Sequence, residues 1–231
     1  MTRIRLNARF RHRPVTGVER FASEVTARLS QMPGLSLAET SPGRSLAGLK
    51  GHAWEQFVLP RSVGRDEWLL SPCNTGPLAV GRQLVVIHDA AVWDHPEGFS
   101  RSFRTVYQQL LPRLAQRARI VATVSEFSRR QLAPRLGLPA ERILVLGNAV
   151  GPAFSPATQP SLPTDQTLFL CVGSMDPRKN LPRLLNAWLG LAKAGRLPAN
   201  ARLRLVGGAN PRNFADIERI ADRLLVLARG R

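Results

Sequence analysis

Lysine is nearly absent from this chain. Of its 33 lysine and arginine residues, only Lys50, Lys179 and Lys193 are lysines. Cysteine is scarce as well, with Cys73 and Cys171 alone. Two thiols so far apart give neither a disulfide framework nor metal-ligand spacing, and they fit a reducing cytosol. There is one tyrosine and no interleaving of aromatic and basic residues, which weighs against a single-strand nucleic-acid binder. No apolar run approaches the length of a membrane span. The opening Met1-Thr2-Arg3-Ile4-Arg5-Leu6 alternates like a strand and lacks the apolar core of a signal peptide. Internal repeats, low-complexity tracts and His/Asp/Glu clusters at metal-ligand spacing are also missing.

Arginine fills the space that lysine leaves. The formal net charge is +17, and the arginines are spread along the whole chain. Such an excess attracts polyanions, nucleotide sugars or anionic lipid headgroups. The same excess also arises from compositional bias alone. A hydrophobic content of 44% is that of an ordinary globular protein with a core. The 231 residues suffice for one large or two small domains.

Short apolar runs predict strands near residues 4–8, 68–70, 84–87, 120–124 and 143–146. Helical spacing predicts helices near 17–31, 101–116 and 127–136. Strands alternating with helices imply a parallel sheet with helices on both faces, an α/β fold. Residues 32–66, rich in Pro and Gly, read as irregular. A Pro-rich stretch over 151–165 reads as a linker between a domain at 1–150 and a second at 166–231. The second holds a strand at 168–172, a helix at 181–194 and a strand at 202–206. Two strands are fewer than a doubly wound domain needs, so this unit is expected to be incomplete.

The most informative stretch is Cys171-Val172-Gly173-Ser174-Met175-Asp176-Pro177-Arg178-Lys179-Asn180-Leu181. It reads as strand, glycine turn, two adjacent cations and a helix start. A helix N-terminus offers unpaired N–H groups and partial positive charge to a phosphate. Arg178 and Lys179 add two full charges. Asn180 is placed to cap the helix, and Pro182 is tolerated in its first turn. A surface turn with two solvated cations has the same local pattern.

Four stretches in sequence order resemble family 4 glycosyltransferases, which have the GT-B fold. They are Gly173 to Asn180 with Leu184-Leu185-Asn186-Ala187; Val85-Val86-Ile87-His88-Asp89; Ala122-Thr123-Val124-Ser125-Glu126-Phe127-Ser128; and Arg142 to Val150 with Phe154. The likeness is to the subgroup that moves mannose and similar sugars in lipopolysaccharide and exopolysaccharide assembly. The resemblance implies one complete Rossmann-like domain and a partial nucleotide-sugar-binding domain, cut short at its C-terminus. It implies transfer of a hexose, with GDP-mannose the favoured donor, to a lipid-linked or polysaccharide acceptor with retention at the anomeric carbon. No cofactor is expected beyond the nucleotide sugar, and no nucleic-acid partner. The implied location is the cytoplasm, with peripheral contact at the inner face of an anionic cytoplasmic membrane. Two other readings stay open: an inactive remnant that binds anionic surfaces, and a GT-B nucleotide-sugar epimerase.

The resemblance gives His88 and Asp89 catalytic roles. Gly173, Ser174, Arg178, Lys179 and Asn148 fall on the donor side; Thr16, Gly17 and Ser125 fall on the acceptor side. His88 ends an apolar strand, where carboxyl ends of parallel strands meet ligands, and would donate to a sugar hydroxyl. Gly17 would let a ligand approach the backbone. Thr16 with Glu19 has capping-box spacing, and Ser125 is a good helix cap, so both also have a purely structural use. The sequence departs from the family in three places: Ser174 where many relatives have arginine, Ala149 where a glycine follows the asparagine, and the missing pair of glutamates that contacts the donor. With that acidic motif missing, this polypeptide alone is expected to show little transferase activity.

Overall fold

A computed structural model describes residues 1–43, 46, 48–151, 154–156, 167–173 and 177–207. Ser174, most of the 151–165 stretch and the tail from 208 lie outside the described residues. The chain divides into two compact units, Met1–Phe154 and Ser155–Arg231.

The first unit carries six strands, β1 (Thr2–Asn7), β2 (Leu35–Thr40), β3 (Trp68–Ser71), β4 (Gln83–Val86), β5 (Ile120–Thr123) and β6 (Ile143–Val145). Its helices are α1 (Gly17–Leu29), α2 (Gly48–Phe57), the single turn α3 (Ala91–Asp94), α4 (Arg101–Arg117) and α5 (Glu126–Leu136). All the strand pairs are parallel, and the order across the sheet is β2-β1-β3-β4-β5-β6. The order reverses between β1 and β3, the topological switch point where open α/β sheets leave a crevice for ligands. The unit is therefore an α/β domain of Rossmann-like kind.

Residue-by-residue alternation sends neighbouring side chains to opposite faces of the sheet. Leu70 packs with Leu6 and with Ala22 of α1, while Leu69 packs with Trp54 of α2 and with Leu59. Farther along the sheet, Val85, Val121 and Ile143 meet Leu111 and Leu114 of α4 and Leu132 and Leu136 of α5. Helices thus cover both faces. Each fully buried leucine contributes about 1.5–3 kcal/mol relative to exposure. Pro112 and Pro134 sit inside α4 and α5 without ending them. Ser100 caps α4 through its hydroxyl, and Gly137 closes α5 in the left-handed region with φ +65°.

Residues 32–66 are not irregular throughout. They contain β2, which pairs with β1 over six residues, and α2. Glycines at 48 and 51 weaken the intrinsic helix signal of α2, and tertiary burial of Trp54 and Glu55 supplies what propensity does not.

The second unit has two parallel strands, β7 (Thr167–Val172) and β8 (Ala201–Val206), joined through α6 (Leu181–Lys193). Leu181 and Leu185 of α6 are buried against Cys171, Leu203 and Leu205. Phe169 meets Trp188 edge to face at 5.1 Å.

Candidate functional site

Because the six strands of the first unit run parallel, their carboxyl ends share one edge of the sheet. Every candidate from this unit follows such an end: Thr16 and Gly17 after β1, His88 and Asp89 after β4, Ser125 after β5 and Asn148 after β6. Their roles in the fold differ.

His88 is buried and held on three sides. Its backbone N–H donates to Asn74 Oδ1 at 2.8 Å, and its Nε2 lies 2.8 Å from the Pro72 carbonyl oxygen. Thr123 Oγ1 donates to its carbonyl at 3.5 Å. A carbonyl only accepts, so Nε2 carries the proton and Nδ1 is left as an acceptor. The donor role expected for His88 therefore belongs to a ring atom the protein already uses. Phe21 of α1 lies edge to face with the ring at 4.9 Å, so the structure brings α1 and His88 together. Burial lowers the imidazole's affinity for a proton, against the opposing pull of the Pro72 carbonyl and of Asp89 and Glu19.

Asp89 is exposed and accepts from the Ala91 N–H at 3.0 Å, an Asx turn that starts α3. At the start of α1, the Glu19 carboxylate accepts from the Thr16 N–H at 3.2 Å and from the Thr16 hydroxyl. Gly17 is exposed, and a Cβ built there meets open space, so sterics do not demand glycine. Ser125 Oγ accepts from Ser128 N–H at 3.0 Å as the cap of α5. Asn148 is exposed in the coil after β6; the left-handed residue of that turn is Gly147, φ +74°, and not position 149, so alanine there is unstrained.

In the second unit, Gly173 follows β7 and donates its N–H to the Val206 carbonyl at 2.8 Å. Pro177–Lys179 form one 3-10 turn, and α6 begins two residues later. Arg178 and Lys179 are exposed, and Lys179 Cγ passes within 3.8 Å of where a Cβ on Gly173 would stand. Asn180 takes the cap position in the left-handed region, φ +51°, and its side chain makes no capping bond. The first-turn N–H groups of α6 are thus not used by that side chain.

A cavity of about 460 Å³ opens at the switch point of the first unit. Arg9, His12 and Arg13 reach it from the segment after β1, Asn74 from the segment after β3, and Phe103 and Tyr107 from α4. Beneath it lies a buried polar network. Arg9 Nη1 donates to Glu55 Oε2 at 3.0 Å and lies 2.9 Å from His52 Nδ1. Asn7 Nδ2 and Thr75 Oγ1 donate to Glu55 Oε1 at 2.6 and 3.1 Å. His52 Nε2 lies 3.3 Å from the Tyr107 hydroxyl. His52 Nδ1 is also 3.6 Å from Glu55 Oε2, so it stands between the guanidinium and the carboxylate.

Burial alone would raise the Glu55 carboxyl; the groups around it, His52, Arg9 and Asn7, outweigh burial and hold it below the usual carboxylate range. Burial lowers the Arg9 guanidinium while Glu55 raises it. Asn74 at the mouth has φ +68°, an uncommon conformation for a side-chain-bearing residue and one that asparagine tolerates. It links the cavity to His88 through their hydrogen bond.

Sequence reasoning gave His52 no role and did not reach Arg9, Glu55 or Asn74. The network draws on β1, α2, β3 and α4, so no local spacing signals it. Asn74 was open to discovery, because an asparagine in the turn-rich Pro72-Cys73-Asn74-Thr75-Gly76-Pro77 is a candidate for the left-handed region. Among the described residues, no three His, Cys, Asp or Glu side chains are grouped to hold a metal ion, and no helix is long and apolar enough to cross a membrane.

No family model matches the chain. Over 136 residues, 55% of its length, it is 27% identical to the O-antigen chain mannosyltransferase B of Escherichia coli. The match covers 34% of that protein, so the chain spans about a third of its relative's length.

Proposed function

We propose that this chain belongs to a glycosyltransferase of cell-surface polysaccharide assembly, of the GT-B type and family 4. Its reaction is transfer of a hexose, mannose from GDP-mannose, to a lipid-linked or polysaccharide acceptor with retention at the anomeric carbon. The observation that carries this reading is the 136-residue likeness to a mannosyltransferase. The parallel sheet and the phosphate-ready start of α6 agree with it.

In this reading the first unit, residues 1–150, is the acceptor side, and residues 166–231 form the donor side. Arg178, Lys179 and the N–H groups at the start of α6 hold the diphosphate leaving group. Its departing charge meets full cations and the positive end of a helix. Lys179 runs alongside Gly173, at ordinary van der Waals distance from where a Cβ would stand. Ser174 and Asn148 complete the donor contacts. His88 acts from the first unit through Nδ1, accepting from a sugar hydroxyl. The enzyme works in the cytoplasm, against the inner face of the membrane that carries its acceptor.

Calorimetric titration of GDP and UDP against the wild type and the Arg178→Ala/Lys179→Ala variant tests the donor side. Removing both cations weakens binding by ~2–4 kcal/mol, from ~1.5–3 kcal/mol per charge-assisted bond with incomplete additivity. Equal affinity in the two proteins refutes the phosphate role.

A further inference from the structure

We propose that the cavity at the switch point binds an anionic saccharide, a sugar ring that bears a carboxylate or phosphate group. This deepens the glycosyltransferase reading and rests on it, since the ligand would be the terminal sugar of the acceptor.

Charge is the first argument. Arg9, His12 and Arg13 line the cavity, and among the described residues no carboxylate does. The undescribed positions of the neighbouring loop are Arg44, Ser45 and Ala47, so the sequence adds no acid there. The two arginines are not equivalent. Arg9 is buried and its charge is matched by Glu55 at 3.0 Å. Arg13 meets Glu19 Oε1 only at 3.8 Å, while Glu19 Oε2 is engaged with Thr16. The Arg13 side chain is 30% exposed, open to a ligand arriving from solvent. The buried network is a fixed floor; Arg13 is the cation above it with donors to offer. Arginine suits this task because its planar fork matches a carboxylate or a phosphate.

Shape is the second argument. A bare anion has no use for an aromatic wall, yet Phe103 stacks on Tyr107 at 3.9 Å and on Phe99 at 5.4 Å. Phe103 and Tyr107 both line the cavity, together with Leu46 and Leu49. Ser100, Ser102 and Asn74 add polar groups to the lining. Apolar surface with a few placed polar groups is the make-up of a small-molecule site, and about 460 Å³ lies within the ~300–1,000 Å³ such sites occupy. A pyranose has C–H faces for the aromatic wall and hydroxyl edges for the polar one. Asn74 Oδ1 accepts from the His88 backbone N–H, so the same residue that lines the cavity also anchors the backbone that carries His88.

The test is amide chemical-shift titration of the full chain with four probes: methyl glucuronide, mannose 6-phosphate, methyl mannoside and inorganic phosphate. Both acidic sugars should shift the amides of Arg13, Asn74 and Ser102 and bind about tenfold or more tighter than methyl mannoside, the effect of one charge-assisted contact. The tighter of the two names the acid. Arg13→Gln should erase the preference, Arg13→Lys should keep most of it, and Phe103→Ala should weaken all three sugars. Equal affinity for the neutral sugar overturns the anion inference. Inorganic phosphate binding as tightly as mannose 6-phosphate overturns the saccharide inference. Absence of shifts with every probe overturns the site. Absence of nucleotide binding by the wild type in the calorimetric titration would defeat the transfer reading and leave this site standing.

Discussion

Replacing Glu55 with leucine should be among the most damaging single changes in the first unit. Glu55 is 1% exposed and accepts from Arg9, Asn7 and Thr75. The leucine accepts from none of them, and Arg9, itself 6% exposed, keeps a charge with no carboxylate bonded to it. Breaking a buried ion pair on one side costs ~3–5 kcal/mol, because an uncompensated buried charge remains. For a domain of this size each kcal/mol lowers Tm by about 2–4 °C, so the loss is roughly 6–20 °C. The Arg9→Met/Glu55→Leu double variant removes both charges and should recover a large part of that loss, since apolar replacement of a buried pair is often close to neutral. Two units do not guarantee one transition, so stability is best read site by site. Hydrogen exchange at the β1 and β3 amides under increasing urea reports the first unit alone. A Glu55→Leu cost below ~1 kcal/mol, or a double variant as unstable as the single one, would refute the view that this network is a structural floor.

Two further outcomes follow from the same region. At Asn74, alanine loses the bond to His88 N–H and pays ~1–2 kcal/mol for the left-handed conformation, while glycine loses the bond alone, so stability by urea denaturation should fall in the order Asn, Gly, Ala. His88 has a folded-state pKa below its unfolded value of about 6.5, so the unfolded chain binds the extra proton first and stability drops as pH falls from about 6.5 through the lower folded value; His88→Gln should flatten that part of the pH–stability curve, and an unchanged slope would rule His88 out as its source.

Much of the first unit was legible from sequence because its signals are local. The apolar runs at Ile4, Leu84, Ile120 and Ile143 each mark a strand, and the helical spacing over 17–31, 101–116 and 127–136 marks α1, α4 and α5 within a residue or two at most ends. β2 and α2 escaped because their stability is tertiary. The Leu35–Thr40 strand exists by pairing with β1, and α2 exists by burying Trp54 and Glu55. The helices predicted over 101–116 and 127–136 run through Pro112 and Pro134, and both prolines are absorbed by helices packed on the sheet. At the site, sequence placed the candidates after strand ends and already read structural uses for Thr16 and Ser125. Asp89 and Ser125 accept from backbone N–H groups at helix starts, Thr16 donates to Glu19 at the start of α1, and the His88 ring is already bonded at Nε2. The cavity required knowing that β1 and β3 are neighbours, which no local pattern announces.

The scarcity of lysine gives each unit its own chemical reporter. Lys50 lies exposed on α2 beside the cavity residues Leu49 and His52. Lys179 and Lys193 stand near opposite ends of α6, the first against Gly173 and the second in the last helical turn. Acylating reagents modify amines and spare guanidinium groups, so three side chains account for the whole lysine signal in a peptide map. A nucleotide held as proposed at the start of α6 would shield Lys179 and leave Lys193 as its internal reference, while an occupant of the switch-point cavity that extends over the exposed side of α2 would register at Lys50. Occupancy of the two units can then be followed separately in one unmodified protein.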